Sequence, residues 1–203
     1  RKAIEFKPTF SEAYYTIAII LSNAEEYDEA IKELNKAIEC DPYNFEAIRD
    51  SMYQLGIIYT ELRKLDDAEI QFKKLIDFDS KYAEAHYNLG FIYSLKGKLM
   101  LTLQKYKDTI AIDPNHYHAI LGLGNIYYAQ GKAQEAIDEY QKAIKINPDD
   151  INLLKTIGSA YQQVGRISDA IASYSSYLIL SSSNFERDEI MDLIEELKAK
   201  IAN

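Results

Sequence analysis

The sequence has no tryptophan and a single cysteine, Cys40, among its 203 residues. One cysteine excludes an intrachain disulfide. A chain without disulfides is typical of a reducing compartment, so we expect a cytoplasmic, intracellular location. No stretch of about 18 consecutive apolar residues occurs, so the sequence predicts no membrane-spanning helix.

Positive charge is also scarce, with 23 basic against 32 acidic residues and a formal net charge of −9. Nucleic acids and anionic membrane surfaces attract basic surfaces, so this balance disfavours both as partners. It is compatible with a basic or apolar protein partner, and equally with acidic helix surfaces that only keep the chain soluble.

What the sequence does contain is a helical pattern that repeats every 34 residues. Within residues 117–150, apolar residues recur at helical spacing up to Gly131, and again from Ala133 to Pro148, which predicts a helix, a turn and a second helix. Such short helices are not stable alone, so neighbouring copies must pack together. Glycines recur at two fixed phases of the period: Gly56, Gly90, Gly124 and Gly158, and Gly97, Gly131 and Gly165.

Prolines also lie 34 residues apart, Pro8 with Pro42 and Pro114 with Pro148, and small alanines recur as Ala30, Ala68, Ala136 and Ala170. In this period and these phases the chain resembles the tetratricopeptide repeat family over nearly its whole length. The resemblance implies an all-α fold, an α-solenoid in which antiparallel helix pairs form a right-handed superhelix. We expect five full repeats between a partial N-terminal helix and a C-terminal capping helix. The predicted segments are 1–10 (the end of a preceding second helix), 11–44, 45–82, 83–116, 117–150, 151–184 and 185–203 (the cap).

Three segments depart from the period. Residues 1–8 align with residues 141–148, so we expect the chain to be part of a longer array. The second repeat has four extra residues, close to one helical turn, which predicts a first helix extended at its N-terminal end over residues 45–51. Residues 185–202 carry an apolar stripe and many charges, as a capping helix needs.

The glycines at the first phase lie inside predicted helices, where glycine costs about 1 kcal/mol relative to alanine. We expect a close approach of the second helix's backbone to offset that cost, with Ala136 and Ala170 as its small residues.

By resemblance to the family, the functional surface is the concave one, lined by the first helix of each repeat. Tyrosine supplies contact area and a polar tip, so such a groove suits an extended or helical segment with apolar anchors and basic flanks. The alternative is that part of this stripe packs against neighbouring first helices. The predicted groove residues are Tyr15, Ile19, Tyr53, Ile57, Tyr87, Phe91, Leu121, Asn125, Tyr128 and Lys155, flanked by the acidic Glu12, Asp50 and Glu84.

Groups that carry catalysis are few. His116 and His118 have no third ligand nearby in the sequence and are interpreted as histidines of a loop and groove edge. Cys40 occupies an apolar helix position and is interpreted as a core residue rather than a nucleophile. Every glycine except Gly122 is explained by the repeat, so no phosphate loop is predicted. We therefore predict no catalytic residue, no metal and no cofactor.

The leading hypothesis is a non-catalytic scaffold that binds a segment of a partner protein in its groove. A second hypothesis is a targeting or substrate-recruiting array of a larger enzyme, such as a glycosyltransferase or a phosphatase. A third is self-association, with the chain forming homo-oligomers within a larger assembly.

Overall fold

The structure is a computed structural model that describes residues 10–181 and 184–202, without the side chains of residues 184, 185 and 202. The predicted helix remnant over residues 1–10 therefore lies, but for Phe10, outside the described residues. The described ranges form eleven α-helices and no strand. The helices are α1 (Ser11–Asn23), α2 (Tyr27–Cys40), α3 (Phe45–Glu61), α4 (Leu65–Phe78), α5 (Ala83–Leu95), α6 (Leu99–Ile112), α7 (Tyr117–Ala129), α8 (Ala133–Ile146), α9 (Ile151–Gln163), α10 (Ile167–Leu180) and α11 (Asn184–Ala202).

The chain divides into two compact units, residues 1–112 and 113–203. In unit one, α1 to α5 each pack on the next helix along the chain, and α1 also contacts α3. In unit two, α7 to α11 pack in the same sequential way. Within the described ranges, no helix is both long and apolar enough to cross a bilayer.

The turn inside each helix pair follows one pattern. After α7, the N–H of Gly131 donates to the carbonyl of Tyr128 at 3.0 Å, and the N–H of Lys132 donates to that of Tyr127 at 2.9 Å. Gly131 has a φ of 74°, which glycine adopts without steric cost. This arrangement satisfies carbonyls that the helix end leaves unpaired. The glycines of the second phase are therefore turn residues, as their position after the apolar pattern predicts.

The first two pairs make the same turn without glycine. Glu25 and Arg63 occupy its left-handed position, with φ values of 61° and 58°. The N–H of Lys64 donates to the carbonyl of Tyr59 at 2.9 Å, so the hydrogen bonds are unchanged. A side chain in this conformation costs about 1–2 kcal/mol, because Cβ approaches the following carbonyl.

The helix α3 carries the four extra residues of the sequence. It has 17 residues, against 13 in α5. Its additional turn begins at Phe45, and the Asn44 side chain caps it by accepting a hydrogen bond from the N–H of Ala47 at 3.1 Å.

The glycines of the first phase face aromatic rings, not a backbone. A Cβ on Gly56 would lie 2.6 Å from the ring of Phe72, and one on Gly124 would lie 2.6 Å from the ring of Tyr140. The expected close approach of the second helix's backbone is therefore wrong. The first repeat has Ala18 at this phase and Leu34 on the paired helix, both fully buried.

The predicted capping helix is present as α11, which packs on α10. Of its apolar stripe, Ile190, Ile194 and Leu197 are buried, whereas Ile201 is exposed. The helix thus covers the apolar side of α10 and presents its charged side chains outwards.

Candidate functional site

The predicted groove tyrosines of unit one share one position on successive first helices. Tyr15 on α1, Tyr53 on α3 and Tyr87 on α5 are all half-buried. One turn before each lies an acidic residue, which is Asp50 in the case of Tyr53 and Glu84 in the case of Tyr87. The repeat therefore places tyrosines and carboxylates side by side on the same faces of these helices.

The tyrosines of this position are partly packed and partly accessible. The ring centroids of Tyr53 and Phe72 are 6.3 Å apart in an edge-to-face arrangement. Tyr87 stacks on Tyr106, with centroids 5.7 Å apart. The hydroxyl of Tyr53 accepts a hydrogen bond from the side-chain amide of Asn88 at 3.4 Å. The packing interpretation therefore holds for part of these side chains, and the binding interpretation stays a prediction for the rest.

Tyr82, which the repeat pattern did not mark as a site residue, joins this group. It precedes α5, and its ring centroid lies 5.7 Å from that of Tyr53 at an interplanar angle of 85°. The guanidinium of Arg49 lies over the Tyr82 ring, 5.2 Å from its centroid. Because Tyr82 lies in a loop, the helical periodicity of the sequence does not identify it as a member of the group. Together these side chains form what we call the tyrosine–carboxylate surface: Tyr15, Asp50, Tyr53, Tyr82, Glu84 and Tyr87.

Burial and neighbouring carboxylates raise the pKa values of these tyrosines. Burial raises the pKa of Tyr15, and the negative charge of Asp50 raises it further. Burial and then Glu84 raise the pKa of Tyr53. The pKa of Tyr82 rises to about 12, through burial first and Asp50 second. The phenols therefore stay neutral at physiological pH, and the negative charge of the surface resides on its carboxylates.

A cavity of 330 Å³ opens at the α1 end of this surface. Within it, the Glu12 carboxylate accepts a hydrogen bond from the Asn44 side chain at 2.5 Å, so the predicted flanking acid is held by the loop before α3. The cavity is lined by Glu12, Tyr15, Asn44, Glu46, Ala47 and Asp50.

The apolar members of the predicted groove in unit one are partly buried. Ile57 packs against the core cluster that contains Phe72, and Ile19 is half-buried on α1. Phe91 is 38% exposed, the most accessible of these three.

In unit two, the predicted groove residues engage their own neighbours. Leu121 and Tyr128 are half-buried, and the exposed Asn125 accepts a hydrogen bond from the hydroxyl of Tyr140 at 2.9 Å. The ammonium of Lys155 lies 2.9 Å from the carboxylate of Glu186 on α11, and that hydrogen bond is the main cause of its raised pKa. The positive charge of Lys155 is thus neutralised within unit two.

The histidines have local roles. His116 is buried and begins α7 as its N-cap, with Nδ1 accepting a hydrogen bond from the N–H of Ala119 at 3.2 Å. His118 is exposed on the first turn of the same helix, so it is helical and not in the loop. In the part of the chain that the structure describes, no three His, Cys, Asp or Glu side chains are grouped as metal ligands.

Three stretches match models of known families. Residues 56–97 and 124–165 match a model described as "TPR repeat", and residues 11–44 match one described as "Tetratricopeptide repeat". Together these stretches make up more than half of the chain.

Solved structures share the fold. A crystal structure of the MamA protein is 27% identical, with a TM-score of 0.69, over 84% of this chain and 91% of that one. YrrB, titled "a TPR protein with an unusual peptide-binding site", has a TM-score of 0.69 at 19% identity and covers 94% of this chain and 96% of its own. These likenesses confirm the predicted all-α solenoid class.

A curated relative is an enzyme. The UDP-N-acetylglucosamine–peptide N-acetylglucosaminyltransferase of Giardia intestinalis is 30% identical over 78 residues, which are 38% of this chain and 5% of that protein. The chain thus matches only a small part of that enzyme's length. With its recurring helix pairs and with family matches over most of its repeats, the chain belongs to the tetratricopeptide repeat family.

Proposed function

We propose that the chain is a non-catalytic scaffold that binds a segment of a partner protein on the tyrosine–carboxylate surface. The observation that carries this proposal is the grouping of half-buried tyrosines and carboxylates on three successive first helices of unit one. Rigid, amphipathic tyrosines on a helical framework supply contact area at a low entropic cost.

The charge of the surface favours a basic partner segment. Two carboxylates, Asp50 and Glu84, adjoin the tyrosines, and Arg49 forms an ion pair with Asp50 at 3.0 Å. A partner with apolar anchors and lysine or arginine flanks is complementary to such a surface, and charge complementarity sets specificity and the association rate. The description of YrrB as having a peptide-binding site is consistent with a segment of this kind.

A peptide library tests the proposal. Fluorescence anisotropy would compare 15-residue peptides that carry the same apolar residues and differ only in basic, neutral or acidic flanks. We expect the basic set to bind most tightly, with an affinity that falls as salt is added. Equal binding of the three sets, or binding of none, would contradict the proposal.

Variants locate the binding to the surface. The pair Asp50→Asn and Glu84→Gln keeps the shape and removes the charge, so we expect weaker binding of basic peptides and a smaller salt dependence. The pair Tyr87→Ala and Phe91→Ala removes contact area. Tyr43→Ala is the matched control, because Tyr43 is 85% exposed and lies in the loop after α2, outside the surface.

A second candidate function is that of a substrate-recruiting segment of a larger enzyme. It is favoured by the 78-residue similarity to a peptide N-acetylglucosaminyltransferase, of which those residues are 5%. The mass of the native protein, and transfer of N-acetylglucosamine from its UDP donor by that protein, test this candidate. A native chain that consists of repeats alone would contradict it.

A further inference from the structure

The extra turn of α3 builds a second cavity, which the 34-residue framework does not provide. Its volume is 740 Å³, and it lies between the start of α3 and the end of α4, within unit one. Because Phe45 and Glu46 belong to the inserted turn, the cavity is specific to this repeat. Its lining residues are Phe45, Glu46, Arg49, Asp77, Phe78 and Asp79.

Two phenyl rings form the apolar part of this cavity. The ring centroids of Phe45 and Phe78 lie 6.0 Å apart with an interplanar angle of 35°. Phe45 is 65% exposed and Phe78 is 37% exposed, so both present ring surface to solvent. Paired, accessible aromatic rings are enriched at sites of association, and their faces attract cations.

Carboxylates form the polar part. Among the described residues, the carboxylates of Asp77 and Asp79 form no ion pair, although Asp79 accepts a hydrogen bond from the N–H of Lys81 at 3.1 Å. Arg49 is already neutralised by Asp50, 3.0 Å away. The last turn of α4 contains no basic residue, so the negative end of the helix dipole adds to these charges. The cavity is therefore electrostatically suited to a cation.

We propose that this cavity binds an arginine side chain of a partner polypeptide. A guanidinium stacks on aromatic rings and forms paired hydrogen bonds with carboxylates, so it satisfies both parts of the cavity at once. The proposal rests on the proposed function only in that the occupant is a polypeptide. Glu46 also lines the smaller cavity beside Tyr15, so the two cavities adjoin.

A matched pair of small ligands tests this site directly. The ¹⁵N-labelled full chain would be titrated with N-acetyl-arginine methylamide and with its uncharged isostere, N-acetyl-citrulline methylamide. We expect saturable amide shifts at residues 45–49 and 77–79 with arginine, and far smaller shifts with citrulline. Equal responses to both ligands, or no saturable response to arginine, would overturn the assignment. Shifts that depend on protein concentration without ligand would do the same, because they indicate a second copy as the occupant.

Variants separate the two parts of the cavity. Phe45→Ala removes a ring, and Asp77→Asn with Asp79→Asn removes charge while keeping a hydrogen-bond acceptor at residue 79. We expect each to weaken arginine binding by about fivefold or more. Tyr43→Ala, in the adjoining loop, should leave it unchanged. An unchanged affinity in both cavity variants would refute the site.

The same variants distinguish this proposal from the proposed function. If the cavity does not bind arginine but the scaffold function holds, basic peptides still bind, and the double variant Asp50→Asn with Glu84→Gln still binds them more weakly. If the scaffold function fails and the cavity holds, the arginine ligand binds, and Tyr87→Ala with Phe91→Ala leaves the affinity for basic peptides unchanged.

Discussion

The space for a side chain at Gly56 is filled by the ring of Phe72. Gly90, Gly124 and Gly158 each face the ring of a tyrosine 16 residues later in the same way. In the first repeat, Ala18 takes the place of the glycine and Leu34 takes the place of the ring. Because leucine is smaller than an aromatic ring, it leaves room for the alanine methyl group. The identity of the residue at this phase is therefore set by its partner on the second helix.

This pairing predicts the outcome of exchanging both partners. Gly56→Ala should lower the free energy of unfolding, because overpacking against the fully buried Phe72 costs about 1–3 kcal/mol, against roughly 1 kcal/mol gained in helix propensity. Adding Phe72→Leu should restore part of the loss, since it recreates the pairing of Ala18 with Leu34. Urea denaturation of the two single variants and the double variant measures the coupling. Strictly additive effects would show that the ring is not what the glycine accommodates.

The turns without glycine give a second prediction. Arg63→Gly should raise the free energy of unfolding by about 0.5–1 kcal/mol, because glycine adopts the φ of 58° without the Cβ penalty. Lys64→Gly is the matched control, as its φ of −81° is ordinary and glycine only adds flexibility there. In thermal unfolding, we expect Arg63→Gly to raise the midpoint temperature and Lys64→Gly to lower it. A lower midpoint for Arg63→Gly would contradict this explanation.

At the residue scale, the sequence allows the glycine phases and the turns to be predicted, but not what each glycine faces. The 34-residue spacing that identifies Gly56 also identifies Phe72, yet only the helix packing shows that the two residues are in contact. Tyr82 and the cavity beside Phe45 could not be predicted either. Both arise where a loop or an inserted turn meets the end of another helix, and such contacts have no period.

At the scale of helices, a charged network joins α4 to the turn between α5 and α6. The Glu69 carboxylate lies 2.7 Å from the ammonium of Lys73 and 2.5 Å from that of Lys96. Lys96 also lies 2.5 Å from Asp66. Partial burial acts to raise the pKa of Glu69, but hydrogen bonds from Lys73 and Lys96 prevail and lower it to about 2.

This network predicts a pH dependence with a definite sign. Because the folded pKa of Glu69 lies below its ordinary value of 4.5, the stabilisation is complete above pH 4.5 and is lost as the pH falls towards about 2. Glu69→Gln should lower the free energy of unfolding at pH 7 by about 1 kcal/mol, since solvent screens the pair. The difference in urea midpoint between Glu69→Gln and the unsubstituted chain should become smaller when the measurement is repeated from pH 7 down to pH 3. Glu61→Gln, at an exposed glutamate of α3, is the control, and a constant difference across this range would exclude the network as the cause.

The helices themselves were largely predictable, for physical reasons. Their apolar spacing and their stop signals are local, so α7 and α8 begin and end close to the residues that the pattern indicates. The extended α3 follows from a count of residues between Pro42 and Leu55. The helix pattern does not indicate which residues contact the polar face of each helix. The sequence predicts Lys155 as a groove residue, but it does not indicate that Glu186 on α11 pairs with it.

At the scale of the whole molecule, there are two units, and within each of them the helices pack chiefly on their neighbours along the chain. A chain of nearest-neighbour contacts has stability that is a sum of local terms, in contrast with a globular core that unfolds all at once. Loss of one buried side chain should therefore be felt close to it and little elsewhere.

Hydrogen exchange tests this locality with a pair of matched substitutions. Leu34→Ala in unit one removes a fully buried side chain and should cost about 2–4 kcal/mol of local stability. Ile157→Ala in unit two removes a side chain that is 1% exposed, at a comparable cost. We expect the first to speed amide exchange in α1 to α3 and leave α9 to α11 near their original rates, and the second to do the reverse. If either substitution instead accelerates exchange equally in all eleven helices, the chain unfolds as one cooperative body and its stability is not the sum of its repeats.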